Sequence, residues 1–334
     1  MNAVTAGHRR TAVGQAAGDR RQVWPWRRTG LAVLTVAAAS LPFTAPPYLL
    51  FQATIVLINA IALLGLDLVA GHGGQVSLGH GAFFGAGAYT AAVLMGRVGL
   101  PYPLTLPAAA LVCYGLGRAA GLPAFRLRGP HLAVVTFAAA VVLPPLVKRF
   151  PSVTGGAMGL PVPEPWAPVL EADQWLYLLV LAAAGGAYAM ARNLTRSRGG
   201  RALTAIREHP AAAETLGMRP AAHMTHAFAW SAMYAGAAGA LYAWTTGFVS
   251  PDSFPVSLSI TLLAGLVVGG PGTAAGPLLG ALVVTSVPAA TEGLGPAVPG
   301  IVSGLLILLV VRAAPTGLAG LLRRAAWGVA RRFG

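Results

Sequence analysis

Apolar runs recur along the chain at roughly 48–68, 81–96, 104–121, 130–147, 174–191, 223–246, 258–270, 276–290 and 298–312, and short segments rich in Gly, Pro and Arg separate them. An earlier run, TGLAVLTVAAASLPF, precedes the series. Backbone polar groups inside a bilayer must be satisfied within the segment itself, and a helical crossing takes roughly 20 apolar residues. The pattern therefore predicts an all-α, polytopic transmembrane helix bundle of about ten spans, some of them broken or short. The first run reads as a retained helix, with a cleaved signal peptide as the competing reading.

Two places depart from simple spans. The run at 258–270 is short for a crossing and is followed by GGPGTAAGP, which predicts a tilted, broken or partly re-entrant helix. Residues 65–94, GLDLVAGHGGQVSLGHGAFFGAGAYTAAVL, use the same grammar of apolar helix, glycine-rich break and Gly/Ala-rich helix. The likeness points to an old internal relationship but is too degenerate to establish a repeat.

Composition sharpens this picture. Hydrophobic residues make up 56% of the 334 positions, charged residues 10%, and the mean hydropathy is +0.68. An ordinary soluble domain carries about a quarter charged residues, so most soluble classes are excluded. The net charge of +14 is dispersed over tails and short loops. With both termini cytoplasmic, twenty basic residues fall on the inner side, against Arg97, Lys148 and Arg149 on the outer side. That is the positive-inside bias of membrane proteins rather than a nucleic-acid-binding surface. Residues 1–28 read as a disordered basic tail, 29–320 as the transmembrane domain with a cytoplasmic segment at 193–222, and 321–334 as a second basic tail. The single cysteine, Cys113, excludes an internal disulfide and a cysteine-based metal site, and reads as a small packing residue.

Polar groups at membrane depth are the candidates for function. His72, Gln75, Ser77 and His80 in the first glycine break would be costly against lipid, so they face protein, a water-filled cavity or the cytoplasmic surface. Phe83, Phe84 and Tyr89 follow and could line an apolar route, which makes these seven residues the candidate translocation pathway or gate. Asp67 is the sole acid inside a predicted span, which argues against a chain of proton carriers. His223 and His226 make a weak metal pair, and no metal site or resident cofactor is expected. The pairs Gly81/Gly85, Gly265/Gly269, Gly276/Gly280 and Gly300/Gly304 carry the small-xxx-small spacing that lets helices approach closely in lipid.

The most distinctive soluble feature is TRSRGGRALTAIREHPAAAETLGMRP. Arg201–Glu208 has helical propensity, Pro210 suits the first position of a second short helix, and Gly217 suits its C-terminal stop. The pair predicts a compact knob whose alanine-rich surface suits a partner's groove better than acyl chains. A phosphate-binding G-x-x-x-x-G-K-[ST] loop is missing, since the sole lysine, Lys148, lies in LVKRF. The chain is thus not an ATP-hydrolysing enzyme, and any ATP that drives it is bound by partner subunits.

Six segments now stand in order: GLDLVAGHGGQVSLGHGAFFGAGAYTAA, RLRGPHLAVVTFA, VTGGAMGL, GRALTAIREHPAAAETLGM, GALYAWTTGFVSPDSFPVSLSI and VVGGPGTAAGPLLGA. Together, over about residues 60–320, they resemble the M-type permease subunits of bacterial branched-chain amino acid ABC importers. The resemblance implies a multi-pass protein of the bacterial cell membrane that works with an H-type permease subunit, two ATP-binding subunits and an extracytoplasmic solute-binding protein. It implies that Arg201, Ala205, Glu208, Ala212, Ala213, Glu214 and Gly217 face an ATPase subunit. Leucine, isoleucine and valine are the implied solutes, and urea or short amides are the alternative. A stand-alone secondary transporter is the reading from another class. FAAAVVLPPL lacks the acidic residue often found after the family's corresponding run, and the basic N-terminal tail lies outside the family pattern.

Overall fold

The computed structural model describes residues 36–124, 131–165, 167, 170–295, 298–314 and 316–324. The proposed tail at 1–28, the first half of the first apolar run, part of RLRGPHLAVVTFA and most of the C-terminal tail lie outside these residues. The chain divides at Ala45/Pro46 into two units. In the first, residues 36–44 are helical.

The second unit is an all-α bundle. Its principal helices are α1 (Pro47–Asp67), α2 (His80–Gly96), α3 (Tyr102–Ala124), α4 (His131–Arg149), the short α5 (Pro151–Thr154) and α6 (Ala172–Arg196). They continue with α7 (Arg198–Glu208), α8 (Pro210–Thr215), α9 (Pro220–Thr246), α10 (Val256–Gly269), α11 (Gly276–Thr291) and α12 (Val298–Ala313). The expected apolar runs from 48 to 312 are helices over nearly the expected residues. By length and apolar composition, four helical segments among the described residues can cross a membrane: Pro47–His72, Tyr102–Pro123, Ala172–Arg196 and Pro251–Gly269. A fifth forms if Ala133–Arg149 and Pro151–Met158, bent by 86°, make one broken span.

Helices α2 and α9 are outside that set for a physical reason. They are built largely from alanine and glycine and are enclosed by other helices, so they have little need of strongly apolar side chains. Helix α9 packs along α1, α2 and α3, and Phe228, Ala232, Tyr234, Ala238 and Leu241 on it are almost fully buried. Backbones meet directly at this centre: a methyl group on Gly87 of α2 would run into the carbonyl of Gly236 on α9. Cys113 of α3 is fully buried against the same glycine, as a small packing residue. With lipid offering no hydrophobic drive between helices, contacts of this kind hold the bundle together.

At the end reached by the C-terminus of α9, a two-residue antiparallel ribbon pairs Leu160 with Val249 and Pro161 with Phe248. The amide of Val162 extends it by donating to Gly247 O at 2.9 Å. Beside it Lys148 Nζ donates to Asp252 Oδ1 at 2.8 Å, an exposed pair worth about 0–1 kcal/mol.

Candidate functional site

Helix α1 does not stop at Asp67 but loosens into a π-turn, Leu68–His72, before the chain leaves the helix. Such turns leave carbonyls and amides without regular intrahelical partners. Neighbouring elements supply the missing partners. Asp67 is buried and its Oδ1 accepts from the amide of Gly272, in the loop between α10 and α11, at 2.6 Å. Its other oxygen lies 3.4 Å from His72 Nδ1. Arg207 of α7 donates through Nη1 to Gly71 O. Thr136 of α4 accepts from the amide of Leu78 at 3.0 Å. Ser259 of α10 accepts from the amide of Gly81, in the first turn of α2, at 2.9 Å.

The strongest tie runs through His80, which is 1% exposed. Ser231 Oγ of α9 donates to Gly65 O of α1 at 2.5 Å. Its proton is thus committed, and the 2.6 Å contact with His80 Nε2 assigns the hydrogen to that nitrogen. Nδ1 then accepts from Ser77 Oγ at 3.2 Å. One relay of hydroxyls and imidazole therefore joins α1, α2 and α9, and the polar break is a junction where α4, α7, α9, α10 and the loop after α10 converge.

This places the seven pathway candidates in three groups. Ser77 and His80 are buried inside the tie. Phe83 stacks edge-on with Phe228 at 5.5 Å, while Phe84 and Tyr89 join Phe254 at 6.0 and 6.2 Å. These three rings are buried and packed against other aromatic rings. His72 and Gln75 remain half-buried. A cavity of about 420 Å³ opens beside the π-turn, and of the seven only His72 lines it. Its other walls include Ser197, Leu203, His223, His226 and Trp230.

The knob has the expected construction. Ser197 caps α7 by accepting from the amide of Gly200 at 3.2 Å. Pro210 stands in the first turn of α8. Gly217, at φ +79°, ends it in the left-handed conformation that glycine adopts without steric cost. Arg201, Glu208, Ala212, Glu214 and Gly217 are exposed and Ala205 is half-buried, so these six can meet a partner. Ala213 cannot: it is 2% exposed and belongs to an internal apolar cluster with Val69, Leu203, Ile206, Met224 and Phe228. Three consecutive alanines carry no periodicity to reveal the inward one. Leu216, at 76% exposure, is the large apolar group the knob presents outward.

Arg207, Ser231, Ser259, Thr136 and Gly272 were not singled out from sequence. The only available signal was Asp67, a lone acid in an apolar helix, whose partner lies 205 positions away.

A strongly apolar helical bundle, with four or five segments able to cross a bilayer among the described residues, defines a membrane protein. More narrowly, the chain belongs to the family described as branched-chain amino acid transport system, permease component, which matches residues 48–311. It is 34% identical over 280 residues to the high-affinity branched-chain amino acid transport system permease protein LivM of Escherichia coli strain K12, a match that covers 76% of this chain and 66% of that protein. The LivM protein of Salmonella typhimurium strain LT2 matches with the same identity and coverage. The chain thus spans about two thirds of the length of these curated relatives, 66%. No solved structure matches.

Proposed function

We propose that the chain is a permease subunit of an ATP-driven importer of branched-chain amino acids in the bacterial cell membrane. It crosses the bilayer about ten times with both termini cytoplasmic, an orientation supported by the arginine-rich inner segments. An H-type permease subunit completes the pathway, two ATP-binding subunits drive it, and an extracytoplasmic binding protein delivers leucine, isoleucine or valine. The relatives' printed names and the scarcity of buried charge, which suits a zwitterionic solute, support this choice of cargo.

The observation that carries the reading is the knob. Helices α7 and α8 project Ala211, Ala212 and Leu216 outward while bonding inward to the joint of α1. A short helix presenting small and apolar side chains fits a groove on a second protein. ATP hydrolysis then belongs to that second protein, and this chain contributes the route.

Ala212 and Leu216 are the positions to test, because Ala213 belongs to the chain's own core. In cells carrying the partner subunits, Ala212→Trp and Leu216→Asp should abolish leucine uptake and release the ATPase subunit on affinity purification, with the chain still present in the membrane. Full uptake with the ATPase retained in both variants would remove the docking role. Competition of leucine uptake by urea or acetamide would instead redirect the choice of solute.

A further inference from the structure

We propose that Arg207 is the positioning residue that fixes the knob to the jointed end of α1, so that displacement of the knob moves the break itself. This rests on the reading of the knob as the docking site of an ATPase subunit.

Beyond this bond and the one from Arg201 to the end of α6, the knob meets the bundle through apolar side chains. Leu203, Ile206 and Ala213 lie in a cluster with Val69, Met224 and Phe228. Contacts of that kind resist separation but have little directionality, so a knob held by them alone could slide over the helices beneath. Arg207 supplies the direction. Its guanidinium donates to Gly71 O, within the π-turn, where carbonyls lack regular helical partners. A bond from a charged donor is stronger and more oriented than a neutral one.

The stem of the same side chain is also held. It lies against Gly74, where an added Cβ would come within 2.8 Å of Arg207 Cγ. Gly74 has φ +68°, so a side chain there would be strained as well as crowded. On the other side of the turn, Asp67 is bonded to the amide of Gly272. A methyl on Gly71 would run into both that carboxylate and that amide. Arg207, the π-turn and the loop after α10 therefore form one continuous chain of contacts, from the exposed knob to both glycine breaks. Arg201, a neighbouring coupling candidate, is directed elsewhere, its Nη1 donating to Arg196 O at 2.6 Å.

The test uses the complete importer, with all partner subunits, reconstituted in proteoliposomes carrying the binding protein. Arg207→Ala and Arg207→Gln are compared with wild type for ATPase co-purification, ATP hydrolysis and leucine uptake. The expected result is retained association and hydrolysis with uptake per ATP reduced about tenfold or more, the glutamine variant being the milder because it keeps a donor. A merely structural role would lower uptake and hydrolysis together at a constant ratio, and that result overturns the proposal. So does an unchanged ratio with normal activity, or failure of both variants to assemble. If the wild-type chain itself does not retain the ATPase subunits, the underlying reading of the knob has failed rather than the role of Arg207.

Discussion

The breaks after α1 and after α10 interrupt apolar helices with much the same residues, yet they are held in opposite ways. The first is positioned from outside: Thr136, Arg207, Ser231, Ser259 and Gly272 reach it from other elements. The second is largely self-contained. Helices α10 and α11 fold back on each other with backbones in contact at Gly265 with Gly280 and at Gly269 with Gly276, and Thr273 bonds within the turn to Gly270 O at 2.7 Å. Glycine therefore means two things in this chain. In the second break it lets two helices touch, while in the first it leaves a gap that distant side chains fill.

The largest effect should come from Gly280→Val. A Cβ at this position already collides with the carbonyl of Gly265, and the Leu63 side chain crowds it as well, at 3.3 Å. A cost of about 3 kcal/mol or more is expected, seen as loss of monodisperse protein in detergent. A normal yield would show that the hairpin is looser than its backbone contact implies. His80→Ala should be next, at about 2–3 kcal/mol, since it removes both bonds of a buried imidazole and leaves a void. Thermal unfolding in detergent measures it, and a change below about 0.5 kcal/mol would deny the first break its dependence on distant partners. The smallest effect is expected at Gly300→Val. This glycine belongs to the same type of spaced pair, but nothing lies within 4 Å of a Cβ built on it, so the isolated chain should change by less than about 0.5 kcal/mol. A loss as large as that of Gly280→Val would erase the distinction between packed and unpacked pairs.

These contrasts explain what could be read from the sequence. Helix positions were legible because apolar length is a local property, and the knob because Pro210 and Gly217 act on their own backbone. The spaced glycines were legible as a type but not by partner. Gly265, Gly269, Gly276 and Gly280 do pack helix on helix, and Gly300 and Gly304 face nothing within 4 Å. The junction was not legible either. His80 and Ser231 are 151 positions apart, and no local pattern tells a histidine that faces cargo from one that ties helices together. Of the seven candidate pathway side chains, Ser77, His80, Phe83, Phe84 and Tyr89 are buried, and His72 lines the cavity beside the π-turn.

The small ribbon between Leu160–Pro161 and Phe248–Val249 has a mechanical implication. It stitches the segment after α5 to the segment after α9, and Lys148 with Asp252 adds a second stitch beside it. Helices fastened together at one extremity cannot easily spread there.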